Sequence, residues 1–474
     1  MRGSTTHDTD GLLVDLLEQY HPRDFQIRLW DGIIRQTDSG VDSKFTLIIR
    51  NPSILRTMLW QADELSLAEA FISGELEVEG DLEAAIPLAE YLSHQTMTWE
   101  NRLRLGFRLL SSASKHSSKA HDLAARVTGP SHSLHRDKQA IAHHYDHPAE
   151  FYAPWLDQRM VYSCAYFSST DDLDAAQVRK LDYLCKKLRL RRGDRLLDVG
   201  CGWGALIVHA ARHYGVDACG IPLSEKQAEF TTALITQHGL TDRCRVELRD
   251  YRQLDTPETY DKIVSVGMIE HVGASQLPLY FQHIWNLLKP GGTFLNHGIG
   301  IRHGERCAFG PFVNTYVFPD AELVPISITT GLAETAGFEV RDIESLREHY
   351  VLTLRRWRQR LESNLSPINR TMDESTRRLW RLDLASAAHG VATGRLNLYQ
   401  TLLSKAQDGA TGMPLTHWLI RIPNSPSAHQ LINSPHPPIH SSADCYISTC
   451  ETSIAAPPIH FAPAESDLLV STTP

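Results

Sequence analysis

The residues best suited to chemistry lie in LLDVGCGWGAL at 196–206, where Gly200, Gly202 and Gly204 follow an apolar run and precede a helical pattern. Glycines at such a junction permit a tight turn and let the backbone approach a bound molecule closely. The third glycine comes too early for the dinucleotide fingerprint Gly-x-Gly-x-x-Gly. Asp198, just ahead of the glycines, agrees: a carboxylate there repels a pyrophosphate and suits a cation. S-adenosylmethionine, with its ammonium and sulfonium, meets that requirement. Further on, PLSEKQ offers Ser224 and Gln227, which either face a ribose or form a capping box at a helix start.

A second stretch, MVYSCAYF at 160–167, poses a question. Its aromatic and β-branched residues suit a strand. Yet Tyr162, Ser163 and Cys164 set a phenol, a hydroxyl and a thiol in a row. Taken alone, Cys164 reads as a small buried apolar side chain.

The elements that must position these residues follow a regular order. RLLDVGC, VDACGIPL, CRVELRD, DKIVSVG and GTFLNHGIG read as strands, with ALIVHAARHYG and SEKQAEFTTALITQHG as helices between them. This βαβ rhythm predicts an α/β fold with an open parallel sheet and helices on both faces. Ligands of such sheets sit beyond the carboxyl ends of the strands. Ahead of this domain, residues 1–100 form a small α+β unit: FQIRLW and FTLIIR as strands, a turn at DG, and a helix opening at Asn51-Pro52. Residues 101–138 carry eight Lys/Arg and two Asp, with Leu103, Phe107 and Leu110 at helical spacing among Arg102, Arg104 and Arg108. Such a basic helical linker suits either a membrane surface or the solvated side of a domain. The catalytic domain spans 139–423. Residues 424–474 hold eight prolines and no Lys or Arg, a composition expected to be disordered.

Bulk properties exclude several classes. The net charge of −9 argues against a nucleic-acid binder held by electrostatics. Eight cysteines without a C-x-x-C pair signal no zinc ribbon and are expected to be reduced thiols in a cytoplasmic protein. The opening MRGSTTHDTDGLL has no apolar core, so no secretory signal is expected, and no apolar run is long enough to span a bilayer.

Together, IAHHYDHPAEFY, MVYSCAYF, LLDVGCGWGAL, RDYRQL, VSVGMIEHVG, LKPGGTFLNHGIG and EHYVLTLRRW resemble, in the same order, the cyclopropane-fatty-acyl-phospholipid synthases and the mycolic acid cyclopropane synthases. AEAFISGELEVEGDL is similar to the small domain preceding the catalytic domain in the phospholipid-acting members. The resemblance implies a class I methyltransferase fold. It also implies methylene transfer from S-adenosylmethionine to a cis double bond of an unsaturated phospholipid acyl chain in a bilayer. A carbocation forms, and bound bicarbonate takes a proton as the ring closes. The resemblance assigns Cys164, Glu270, His297 and Tyr350 to the bicarbonate site. It assigns Tyr162, Ser163, Asp198, Gly200, Gly202, Gly204, Leu223, Gln227, Tyr251 and Ile269 to the cofactor. No metal is implied; peripheral membrane contact on the inner face and a homodimer are expectations. A small anion needs donors such as an imidazole and a phenol. A carbocation needs aromatic walls and exclusion of water.

The sequence departs from the family's pattern at three places. Ala387 stands where a second cysteine is usual, His147-Pro148 where Leu-Gly is common, and Pro222 where a threonine often follows the second strand. The same scaffold also carries 10-methylene or 10-methyl fatty acid methyltransferases and small-molecule N-methyltransferases. A degenerate lipid-binding protein is the non-enzymatic reading.

Overall fold

The computed structural model describes residues 17–414, apart from 18, 37–41, 52–53, 55–62, 95–119, 169–171 and 306–308. The expected helix after Asn51, the Arg102–Arg108 segment and the 424–474 tail therefore lie wholly or mostly outside the described residues.

The first sheet contains β1 (Phe25–Arg28), β2 (Ile34–Gln36), β3 (Phe45–Ile49) and β4 (Leu76–Gly80), in the order β2-β1-β3-β4. The DG turn joins β1 to the short β2, and β3 lies parallel to β1 instead of forming a hairpin with it. Helices α1 (Glu64–Ile72) and α2 (Leu82–His94) cover this sheet. Asp63 caps α1 by accepting from Ser66 N at 2.7 Å.

The catalytic half begins with α3 (Leu134–Tyr145), α4 (Ala149–Tyr152) and α5 (Leu173–Lys187). Its sheet contains β5 (Arg195–Val199), β6 (Asp217–Ile221), β7 (Cys244–Val246), β8 (Tyr260–Val266), β9 (Leu288–Ile301), β10 (Val324–Pro325), β11 (Glu339–Ser345) and β12 (Leu396–Ser404). The strand order is β11-β12-β9-β8-β5-β6-β7, with β10 added beside β9. Strands β5 to β9 pair in parallel, while β12 runs antiparallel to both neighbours. This is the class I methyltransferase sheet. Its topological switch point lies between β5 and β8, so the crevice opens where the glycine loop leaves β5. Helices α6 (Ala205–Tyr214), α7 (Glu225–Gln237), α8 (Leu277–Leu287), α9 (Pro311–Tyr316), α10 (Ile326–Thr335), α11 (Arg347–Ser363), α12 (Leu365–Thr371) and α13 (Glu374–Ala392) complete the layers.

Helix α13 joins the halves. Its Leu382 and Ala385 pack into the core of the first sheet. Its Trp380, Leu384 and Ala388 pack with Trp155 and Trp357 in the catalytic core. Acidic residues of the first half meet basic residues of the second: Glu83 with Arg355 at 2.6 Å, Glu77 with Arg378, and Glu90 with Arg395 at 2.5 Å.

MVYSCAYF belongs to no strand. It runs extended between α5 and α11, which satisfy its backbone with side chains instead of a sheet ladder. Gln177 Nε2 donates to Ser163 O at 2.9 Å. Ala165 N donates to Thr353 Oγ1 and Phe167 N to His349 Nδ1, each at 3.0 Å. Buried backbone groups must be paired somewhere, and helix side chains take the part of a neighbouring strand here.

Among the three loop glycines, Gly204 serves packing. It has φ +82°, and a Cβ there would lie 2.4 Å from Thr231 Cγ2 on α7. Gly202 also has positive φ, but nothing lies within 4 Å of its would-be Cβ. Gly204→Ala should destabilise the protein by about 2–4 kcal/mol, from left-handed backbone strain plus overpacking. Gly202→Ala should cost only about 1–2 kcal/mol, from the backbone alone. Urea unfolding of the two variants checks the difference.

Candidate active site

The cavity at the switch point is walled by the glycine loop, the MVYSCAYF segment and the turns after β6 and β7. Tyr162, Ser163, Asp198, Gly200, Gly202, Leu223, Gln227 and Tyr251 line it. Pro222 lines it too. Gly204 and Ile269 stand off its wall. Gly204 is pressed against Thr231. Ile269 packs its side chain into the core beside Val272 and Phe294, so its neighbour Met268 faces the cavity instead. Ser224 caps α7 by accepting from Gln227 N at 3.2 Å and donates to Asp146 Oδ1 at 2.9 Å. The capping role read from the sequence is therefore present, while Gln227 still reaches the cavity wall.

The polar atoms of this cavity suit a charged ligand. Asp198 is buried, its Oδ1 has no hydrogen-bond partner, and burial pushes its carboxyl up to about 7. Tyr251 lies at the rim, where Arg252 covers its ring at 5.6 Å. Glycine-made space, an orphaned carboxylate and an aromatic rim fit the amino-acid and adenosine ends of S-adenosylmethionine.

The residues assigned to the anion gather beside this cavity, on the inner side of MVYSCAYF. Cys164, Tyr350 and Ile299 pack in one cluster. Glu270 Oε1 accepts from Ile299 N at 2.7 Å, and its Oε2 is buried without a partner. His297 and Ile299, two residues apart on β9, point to the same face of the sheet. Gln400 lies directly across from His297 on β12, and its Nε2 meets His297 Nδ1 at 3.2 Å. With Gln400 Nε2 as donor, His297 carries its proton on Nε2, the atom left without a partner. Tyr350 borders both Glu270 and Cys164, and burial raises its phenol.

The electrostatics follow from lost water. Desolvation pushes Glu270 up to about 7 and pulls His297 down to about 3, so the imidazole is neutral. Cys164, 1 % exposed, is pushed up to about 12 and stays a thiol, donating to Ala165 O at 3.2 Å. A neutral N–H, a phenol and a carboxyl that protonates near neutrality can together hold a small anion.

Around Tyr162 stands an aromatic enclosure. Trp357 lies 5.1 Å, Trp155 5.4 Å, Tyr152 5.7 Å and His144 5.7 Å from its ring. His144 Nε2 meets the Tyr162 hydroxyl at 3.1 Å. His147 stacks on Phe151 at 4.3 Å and Pro148 begins α4, so the unusual dipeptide lies in this wall. Ala387 packs in the same core as Tyr162 and Tyr350.

Sequence reasoning missed Lys180, Asp383, Gln400 and the His144–Tyr145 pair. Lys180 lines the cofactor cavity, and its Nζ donates to Ser163 Oγ at 2.9 Å. Asp383 is buried and pushed up to about 7. Both had a signal: they interrupt apolar stripes, between Ala176 and Leu184 on α5 and between Trp380 and Ala387 on α13.

With this geometry in view, the relatives are informative. Residues 132–401 match the mycolic acid cyclopropane synthetase family, and residues 12–101 match a domain of unknown function. The chain belongs to the mycolic acid cyclopropane synthetase family. It is 39% identical to a probable fatty acid methyltransferase of Pseudomonas putida, over 82% of this chain and 94% of that one. It is 33% identical to the tuberculostearic acid methyltransferase of Mycobacterium tuberculosis, over 59% of this chain and 67% of that one. A mycolic acid cyclopropane synthase solved in complex with SAH and CTAB superimposes with a TM-score of 0.53 at 31% identity, covering 56% of this chain and 97% of the other. The protein is thus an S-adenosylmethionine-dependent, lipid-modifying member of this family.

Glu270 offers a test of the buried site. Its folded pKa, about 7, lies above the usual carboxylate value, so folding favours the protonated form. That preference is neutral below the unfolded pKa. It becomes a growing penalty as pH rises from about 4.5, and is complete above about 7. Glu270→Gln removes it. The variant should gain about 2–3 kcal/mol on the parent between pH 4.5 and 7.5, measured by urea unfolding across that range.

Proposed function

We propose that this protein transfers a one-carbon unit from S-adenosylmethionine to the cis double bond of an unsaturated phospholipid acyl chain and closes it into a cyclopropane ring. The observation that carries this reading is the orphaned Glu270 Oε2 beside Tyr350, together with the orphaned Nε2 of His297 on β9. A plain methyltransferase has no need of an anion cradle next to its cofactor. When bound, the cofactor supplies a methyl group activated by its sulfonium. Asp198 and the glycine loop hold its charged end, Gln227 and Tyr251 its nucleoside end. The ring faces of Tyr162, Trp155 and Trp357 accommodate positive charge on the alkyl chain, and their packing keeps water away from it. Glu270, His297 and Tyr350 hold bicarbonate, whose part is to accept a proton from the alkylated chain.

An apolar cavity of about 410 Å³ supports an acyl substrate. It is walled by Phe71, Leu88 and Leu92 of the first half and by Phe312, Leu323 and Leu382 of the second. Its size is that of ligand pockets, roughly 300–1,000 Å³. Ile301 and Leu396, on its wall, belong to the strands that carry His297 and Gln400. Ile301 is four residues from His297, roughly 13 Å along the strand. Among the described residues no helix is long and apolar enough to cross a membrane. On the proposed reading the chain meets its bilayer substrate from the surface, and the basic composition of residues 102–108 supports a docking role for that segment.

A second reading has its own support. Ala387 replaces the usual cysteine, and the relative that matches over 94% of its length is a probable fatty acid methyltransferase. On that reading the product is a 10-methylene chain, which becomes a 10-methyl chain only where a separate hydride-donating reductase adds two hydrogens. Expression in a host lacking cyclopropane lipids, followed by lipid mass spectrometry and ozonolysis, decides between them. The proposed product gains one CH₂ and resists ozonolysis, a methylene product gains the same mass and is cleaved, and unchanged lipids defeat both.

A further inference from the structure

Lys180 is a buried cation whose place the anion site does not explain. Its side chain rises from the middle of α5 to the wall of the cofactor cavity, and the residue is 2 % exposed. An ammonium has three donors, yet among the described residues Nζ makes one hydrogen bond, to Ser163 Oγ at 2.9 Å. Asp198 also faces this cavity with Oδ1 unpartnered, and no ion pair joins the two. Asp157, another buried neighbour on the Lys180 side, spends its carboxylate on the backbone N–H groups of Arg159 at 3.0 Å and Val161 at 2.7 Å. A buried ammonium without an ionic partner is costly unless a ligand supplies one.

An unpaired carboxylate and an unpaired ammonium on the wall of one cavity make a template for a zwitterion. The amino-acid end of S-adenosylmethionine and S-adenosylhomocysteine is such a group. We infer that Lys180 is a cofactor-binding residue: its Nζ takes the carboxylate of the cofactor's amino-acid end, with Ser163 holding Nζ in place, while Asp198 takes the amino group. This rests on the cofactor assignment above and is independent of the lipid and of the product formed. It also gives the serine of MVYSCAYF its task, since Ser163 Oγ is the acceptor that aims the ammonium.

Calorimetry with S-adenosylhomocysteine and with 5′-methylthioadenosine, which shares the nucleoside and thioether but lacks the amino-acid end, tests the inference without turnover. Lys180→Met should weaken S-adenosylhomocysteine about 10–100-fold, the worth of a hydrogen bond to a charged group. Binding of 5′-methylthioadenosine should stay nearly unchanged. Equal losses for both ligands, or no loss for either, would overturn the assignment. Should Lys180→Met fail to fold, Lys180→Gln is measured in the same way. In addition, the parent protein must prefer S-adenosylhomocysteine to its carboxylate methyl ester by about 10–100-fold; equal binding of acid and ester overturns the inference by itself. Failure of the parent to bind S-adenosylhomocysteine at all would remove the cofactor assignment and this inference with it.

Discussion

Exclusion of water from a set of ionisable side chains is the constraint on which the rest of the catalytic half depends. Lys180, Asp198, Glu270, His297 and Asp383 are all buried. Each is displaced from its ordinary pKa chiefly by desolvation. A buried polar atom without a partner costs about 1–3 kcal/mol. The folded protein tolerates Asp198 Oδ1, Glu270 Oε2, His297 Nε2 and Gln400 Oε1 in that state. Such strain persists only where the surrounding scaffold over-determines it. Here the scaffold is the sheet centre, β5, β8 and β9, with α5 packed against it, and β12 beside it, on which α11 and α13 pack.

The same dryness accounts for the aromatic enclosure. Trp155 and Trp357 are among the largest fully buried side chains of the protein. They pack against the Tyr162 ring at 5.4 and 5.1 Å. The first half contributes in a different way. Two of its ion pairs with the second half, Glu83–Arg355 and Glu90–Arg395, are partly exposed and contribute little stability each. The apolar contacts of Leu382 and Ala385 with its core do more. Its helices also form one wall of the apolar cavity between the halves.

How much of this was legible in the chain divides by the range of the interactions. The glycine loop, the strand–helix alternation and the N-cap at Ser224 are local: each depends on residues within a few positions. They form where the spacing places them. Asp198 could be read as facing a cation because a strand-to-helix turn dictates what lies ahead of it. The motifs shared with its family lie in three separate segments, and the resemblance alone groups their Glu270, His297 and Tyr350.

What only the tertiary structure decided rests on contacts between distant segments. MVYSCAYF has the composition of a strand, yet it pairs with no strand because Gln177, Thr353 and His349 supply its hydrogen bonds from two helices. Of three similar glycines, Gly202 faces open space and Gly204 a threonine, a difference made by where α7 passes. Ile269 and Met268 exchange places between core and cavity because the short turn after β8 sends alternate side chains opposite ways. Lys180 and Asp383 look like interruptions of apolar stripes until α5 and α13 turn them inward. A charge on a helix becomes a binding group only when packing takes its water away, and sequence order does not record that packing.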